Sequence, residues 1–310
     1  MDEASREPVM VWQFLRRHFV RIVIGTVLMV AAYGIISAYA THQREQRIAK
    51  EIESLDGFVR FQYCGPDWMP QSARDRMPFL SRIHWVSLVR KPVSSDLLSD
   101  LRTLTNLKHL ALCGSPVTDQ SLVHLAGCRS LEFLDIRETQ ITNAGLELLT
   151  GLQHLKWLDL RMTQIGDAGM VHVSRLPNLE VLILRHCQVT NLGLENLKAM
   201  TTLEGLDLED TAITDAGVEH LTALARLKSL FLKQTQITDV GLRHLKEITS
   251  LEVLDLSNTR VTDVGVLLLN DLPNLQTIYL YETVVTADTR SELREASRVR
   301  QVHPEWRRDD

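Results

Sequence analysis

Leucines recur along this chain in a fixed register. The pattern L-x-x-L-x-L begins at Leu107, Leu131, Leu155, Leu179, Leu203, Leu227, Leu251 and Leu275, always 24 residues apart, and Ile83, Val86 and Leu88 start a ninth, less regular copy one step upstream. The fourth and sixth positions, such as Leu158 and Leu160, alternate with other residues, which predicts a short strand with both leucines on one face. One such strand cannot bury its face. Stacked at ~4.8 Å on its neighbours it forms a parallel sheet with a continuous leucine column behind it.

A small polar residue follows at position nine, as in Ser115, Thr139, Thr163, Cys187, Thr211 and Thr235, where the chain leaves the sheet. Its side chain is placed to bond backbone groups that the turn leaves unpaired. The rest of each period reads Thr-Asp-x-Gly-Leu or a near variant and then has helical spacing, as in Gly217, Val218, Leu221 and Leu224. That spacing predicts helices of about two turns, capped by the Thr or Asp and too short to persist alone. The glycines, among them Gly145, Gly169 and Gly217, are explained by close approach of neighbouring repeats. Helices are wider than strands, so the stack is expected to curve with the strands on its concave face and the helices on its convex face.

This L-x-x-L-x-L-x-x-T-x-I-T-D-x-G-L pattern resembles the leucine-rich-repeat proteins, and its T-D-x-G-L half is similar to the repeats of bacterial, planctomycete-like, membrane-anchored members. The match covers roughly residues 83–286. The resemblance implies an α/β leucine-rich-repeat solenoid and a non-catalytic recognition or assembly module. In such proteins an apolar segment and a short entry strand come before the repeats, and here Leu55-Asp56-Gly57-Phe58-Val59-Arg60-Phe61 takes that place while departing from the usual residues.

A different pattern opens the chain. Residues 22–40 form 19 positions without a charge, between Arg16, Arg17 and Arg21 on one side and Arg44, Arg47 and Lys50 on the other. At ~1.5 Å per residue this nearly crosses a ~30 Å hydrocarbon layer. A spanning anchor is the first reading. A cleaved signal peptide ending at Ala38-Tyr39-Ala40 and a buried core helix are the alternatives. Either of the first two readings exports the rest of the chain, so residues 1–21 are expected to be a cytoplasmic tail and the repeat domain to lie on the extracytoplasmic side of the cell membrane. Residues 41–82 then read as a membrane-proximal helix and N-terminal cap, and 287–310 as a C-terminal cap and tail in which Val299 and Val302 stand where a further strand would begin.

The concave face is read from the positions between the buried leucines. It carries Phe133, Trp157 and Phe231, the pairs Asp135 with Arg137 and Asp159 with Arg161, then Arg185, Tyr279 and Tyr281. Aromatic and arginine side chains dominate interface energies where they are desolvated, so these ten residues are the candidate binding surface for a protein ligand. A glycan ligand or a purely structural envelope role are the alternatives. The bland reading is that the charges neutralise one another and the rings shield the arginine stems.

Composition adds mainly exclusions. A net charge of −5 gives no broad basic footprint, and no nucleic-acid partner is expected. The four cysteines lack metal-ligand spacing, and no H-E-x-x-H, G-x-S-x-G, phosphate loop or C-x-x-C occurs. Neither an enzyme nor a cofactor is expected.

Overall fold

The computed structural model describes residues 7–296 and 301–303. The chain divides into two compact units, one made of residues 1–47 and 61–82, the other of residues 48–60 and 83–310.

The strands follow one another in chain order in one sheet: β2 (Ser81–Ser87), β3 (His109–Ala111), β4 (Phe133–Asp135), β5 (Trp157–Asp159), β6 (Val181–Ile183), β7 (Gly205–Asp207), β8 (Ser229–Phe231), β9 (Val253–Asp255), β10 (Thr277–Tyr279) and β11 (Gln301–His303), after an edge strand β1 (Phe58–Tyr63). From β2 onward the pairing is parallel, and equal positions of the period lie side by side, as Leu134↔Leu158 and Leu158↔Leu182. The last strand pairs Ile278↔Val302, so the expected further strand is present, with Val302 in place. Val299, Pro304 and the tail beyond it lie outside the described residues.

The leucines of this register are buried without exception from Leu107 to Leu280. Each is worth about 1.5–3 kcal/mol relative to exposure, which is why three-residue strands and two-turn helices persist here. The position-nine threonines donate to the carbonyl three residues back, as Thr139 to Ile136 O (2.5 Å) and Thr163 to Leu160 O (2.6 Å), while Ser115 donates to Leu88 O of the preceding repeat (2.5 Å). Cys187 does the same job by donating from Sγ to Leu160 O across the repeat boundary at 3.1 Å.

On the helix side, the Asp of Thr-Asp-x-Gly works between repeats rather than as a cap of its own helix. Asp215 accepts from both the backbone N–H (2.8 Å) and the hydroxyl (2.7 Å) of Thr238 in the next repeat, and Asp119, Asp167, Asp239 and Asp263 repeat the arrangement. These carboxylates press against the following glycine. A Cβ on Gly217 would stand 2.4 Å from Asn191 Oδ1, the asparagine equivalent, so close approach does require glycine there. His220, on the same helix, is half-buried.

Every repeat also turns through a left-handed residue at position eight, among them Arg90, Glu138, Met162, His186, Asp210 and Gln234, and Gly114 alone of the series is glycine.

Residues 7–47 of helix α1 (Glu7–Ser54) make up much of the first unit, and the helix passes without a break through the two segments that composition suggested as separate helices. No glycine or proline stands between Thr41 and Ser54 to interrupt it. Its apolar stretch is uncovered: Val27, Leu28, Met29, Val30, Tyr33 and Ile36 are all exposed. It is the one helix among the described residues long and apolar enough to cross a membrane, with a mean hydropathy of 1.9 over its most apolar window.

Candidate interaction surface

Four rings at position three of successive repeats lie on the sheet face opposite the helices, where a strand residue has no duty in the leucine core. Trp85 stacks on His109 with ring centres 4.5 Å apart, His109 meets Phe133 at 5.6 Å, and Phe133 stacks on Trp157 at 3.8 Å and 11°. Parallel strands in matched register force this, because equal positions sit one strand spacing apart and flat rings fill that spacing by stacking. Arg60 caps the outer end, 5.5 Å above the Trp85 ring. His109 titrates below the ordinary histidine value, chiefly because burial disfavours its charge, and sits in the row as a neutral ring.

Beside the rings runs a lattice of acids and bases. Asp135 and Asp159, expected to project from the sheet, are instead buried, Asp159 completely, and Asp207 is buried with them. The alternation of a strand does point these side chains outward. Each carboxylate, however, is short enough to turn back onto the backbone N–H two residues on, as Asp159 does to Arg161 N (3.0 Å) and Asp135 to Arg137 N (3.2 Å). The arginines then lie across them. Arg161 Nε is 3.0 and 2.9 Å from the two Asp159 oxygens, and Arg137 Nη1 is 3.7 Å from the same carboxylate. Arg137 also donates to Cys113 Sγ at 3.1 Å.

Further along, Arg185 donates to Asp207 Oδ2 at 2.9 Å, and its Nε stands 2.9 Å from Glu209 Oε2 as an ion pair without hydrogen-bond alignment. Lys233 closes the series on Glu209 at 3.0 Å. Burial pushes the Asp135 carboxyl above its usual range despite its arginine, while the hydrogen bond to Asp159 raises Arg161 further. The arginines are therefore largely engaged by carboxylates, and their outer faces are what the surface presents.

The lattice stops at β9. Ser257 stands where its neighbours have a long side chain, and it serves Asp255 through a backbone N–H at 2.8 Å. Asp255 is only half-buried, and desolvation holds its carboxyl above the ordinary value.

Between ring row and lattice end, Gly205 leaves a hollow of about 360 Å³, lined by Val181, Ile183, Leu206, Ser229 and Phe231, with Glu204, Asp207 and Lys228 completing it. The fold does not require glycine there. Its φ is not left-handed, and a Cβ would meet Val181 at an ordinary 3.4 Å.

The structure thus joins Phe133, Trp157, Asp135, Asp159, Arg137, Arg161 and Arg185 into one patch and sets Phe231 beside the hollow. Tyr279 and Tyr281 form a separate tilted pair 5.8 Å apart near the far end of the stack. Tyr281 is buried, contrary to its expected exposure, with its N–H placed 3.2 Å from Ser257 Oγ. The sequence places Trp85, His109 and Gly205 at the same concave position as Phe133 and Trp157, but they are absent from the ten candidate residues, because the stacking of the rings and the hollow at the glycine appear only between neighbouring strands.

Sequence-family comparison agrees with this architecture. The leucine-rich-repeat models match residues 127–149, 151–173 and 175–198, then 201–261, and a two-copy model matches 249–288. The chain is a leucine-rich-repeat protein. Among solved structures, internalin C2 of Listeria monocytogenes is similar, with a TM-score of 0.50, 21% identity, and coverage of 67% of this chain and 84% of that one. At that identity the likeness concerns the fold alone. No curated protein matches the chain. Among the described residues, no group of three or more His, Cys, Asp or Glu is placed to hold a metal ion.

Proposed function

We propose that this leucine-rich-repeat protein is a membrane-tethered, non-catalytic scaffold that binds a protein partner on its sheet face, through Phe133, Trp157, Arg137, Arg161 and Arg185, with Asp135 and Asp159 beneath them and Phe231, Tyr279 and Tyr281 toward the far end. The observation that carries the reading is the half-exposed row of rings, continuous across β2 to β5, on a face that contributes nothing to the core. Aromatic and arginine residues in a compact patch beside a hollow have the make-up of an interface centre. A glycan is the weaker alternative, because a sugar ring lies flat on an aromatic face and these faces are largely stacked on one another.

The 24-residue T-D-x-G-L repeats with an apolar N-terminal helix support kinship with the planctomycete-like anchored type. Residues 22–40 supply the anchor in this reading, with residues 1–21 cytoplasmic and the repeats outside. Protease added to spheroplasts should digest the repeats and spare the membrane-embedded fragment. Recovery of a soluble chain starting at Thr41 would instead identify Ala38-Tyr39-Ala40 as a cleavage site.

The binding reading is tested by pull-down from membranes with the full chain and with Trp157→Ala and Gly205→Leu, the second of which fills the hollow. Both should lose the partner while keeping the circular dichroism melt close to that of the parent. Leu192→Asp, on the exposed helix side, should retain it. Retention of the same partner by both sheet-face variants would remove this surface from consideration.

A further inference from the structure

Trp68 is 81% exposed, more than any other large apolar side chain among the described residues, and it belongs to the same unit as the apolar part of α1. A single exposed apolar residue ordinarily needs no explanation. The loop that carries this one is built to hold it out. The Tyr63 hydroxyl donates to Pro66 O at 3.3 Å and meets Met69 Sδ at 3.2 Å. Arg74 lies 4.6 Å over the Tyr63 ring and donates to Met69 O (2.7 Å) and Asp67 O (2.6 Å), so both neighbours of Trp68 are tied down by one guanidinium. Only the indole, flanked by the exposed Pro66 and Pro70, is left without cover.

The level of this loop along α1 is set by contacts within the unit. Arg82 pairs with Glu45 at 3.9 Å, and the backbone of Ser81, one residue earlier, is hydrogen-bonded to His42, three residues earlier. Moving back along β2 is therefore moving back along α1, toward the apolar run. Cys64 N donates to Leu80 O at 2.9 Å, so the segment between Gly65 and Phe79 continues past the Ser81 end. The segment therefore starts on the side of Ser81 nearer the apolar run, and His42 lies only ~3 Å of helix rise beyond Ala40, where that run ends. Arg44 and Arg47 on α1 and Arg76 in the segment are exposed.

We infer that the 64–70 loop is a membrane-interface contact in which Trp68 seats in the headgroup layer of the bilayer that α1 crosses. The inference rests on the anchor reading of residues 22–40. A rigidly presented indole with an N–H at one edge suits the boundary between headgroups and acyl chains, and nearby arginines can pair with lipid phosphates there. Such a second contact restrains the tilt and rotation of a single helix, which one spanning segment cannot do alone.

The test is the depth of a nitroxide at position 67 in the full chain, reconstituted in phosphatidylcholine–phosphatidylglycerol vesicles. Cys64, the exposed cysteine, is replaced by Ser, and Asp67→Cys carries the label next to an intact Trp68. Tyr33→Cys on the apolar run and Leu192→Cys on the repeats carry it in parallel chains. The expected result is an oxygen-to-nickel-chelate accessibility ratio at position 67 severalfold above that at 192 and below that at 33, falling to the 192 value when Trp68→Ala is added. A ratio at 67 equal to that at 192, with 33 still deep in the bilayer, overturns the loop contact and leaves the anchor standing. An aqueous ratio at 33 overturns the anchor and the loop contact with it.

Discussion

Replacing Arg161 by alanine should damage stability far more than the loss of a surface arginine. Asp159 has no solvent exposure, and Arg161 supplies its charge partner through two nitrogens, Nε at 2.9 and 3.0 Å and Nη2 on the same carboxylate. After Arg161→Ala, the carboxylate keeps the backbone N–H of residue 161 and a distant Arg137 at 3.7 Å. Removing one partner of a buried pair costs about 3–5 kcal/mol. The retained backbone donor and Arg137 reduce this, giving an expected loss of about 2–4 kcal/mol.

The chain itself supplies a contrast, because Asp255 is served by the Ser257 backbone N–H and side chain, with Lys233 acting on it only through its charge. Arg161→Ser should therefore lose less than Arg161→Ala, and Asp159→Asn should abolish most of the effect of Arg161→Ala when the two are combined. The measurement is urea unfolding of the full chain in mild detergent, monitored by circular dichroism, with the parent, both single variants and the double variant in one double-mutant cycle. A loss of under about 0.5 kcal/mol for Arg161→Ala, the range of an ordinary surface change, would refute the view that this lattice holds buried charge in place. For the same reason Trp157→Ala, rather than any change at Arg161, is the clean probe of binding.

The geometry carries two further outcomes. Gly217→Ala should destabilise by about 1–3 kcal/mol, since its Cβ would stand 2.4 Å from Asn191 Oδ1, whereas Gly205→Ala, with its nearest neighbour at 3.4 Å, should be neutral or slightly stabilising; equal melting shifts would contradict both placements. Asp255 carries a carboxyl raised by desolvation, so the folded chain binds its proton more tightly than the unfolded chain, and stability from this group falls as pH rises from the ordinary carboxylate value through the raised one. Asp255→Asn, which keeps an oxygen for the Ser257 N–H, should then be more stable than the parent at neutral pH, with the difference shrinking as pH drops through that window. A difference that grows on acidification would reverse the sign of the argument.

How much of this was legible in the sequence depends on whether a residue's role repeats. Leu158 and Leu160 could be placed because the 24-residue period repeats their environment, and the hydroxyl of Thr163 because the turn it serves recurs in each copy. The left-handed turn at position eight also recurs, yet Glu138, Met162 and Gln234 occupy it where a glycine would have announced it. Asp159 was misplaced for a different reason. Alternation tells which way a Cα–Cβ bond points, and a two-atom reach beyond that bond is enough to fold a carboxylate back under an arginine. The ring row needed one further step from single residues to neighbours in register, since Trp85 and His109 acquire meaning only through Phe133 and Trp157. The single helix α1 was split by a change of composition that the backbone does not register.

A repeat stack divides its positions into those whose identity it dictates and those it leaves free, and the free ones are where a binding reading has to find support. On the helix side the free position after the capping pair reads Gln120, Ala144, Ala168, Leu192, Ala216, Val240 and Val264, residues of varying size and polarity. On the sheet side the free positions sort themselves along the stack. Rings occupy β2 to β5, the glycine and its hollow fall at β7, and the acid–base lattice ends at Ser257 beyond β9. The lattice serves stability, but the rings and the glycine do not: a Cβ fits at position 205, and a row of β-branched residues would pair as well as the rings. Ordering that the core does not demand, confined to one face, is what a partner's shape would impose. Filling the hollow with Gly205→Leu is therefore the most selective perturbation available, because it removes no contact of the fold and changes only what the face can receive.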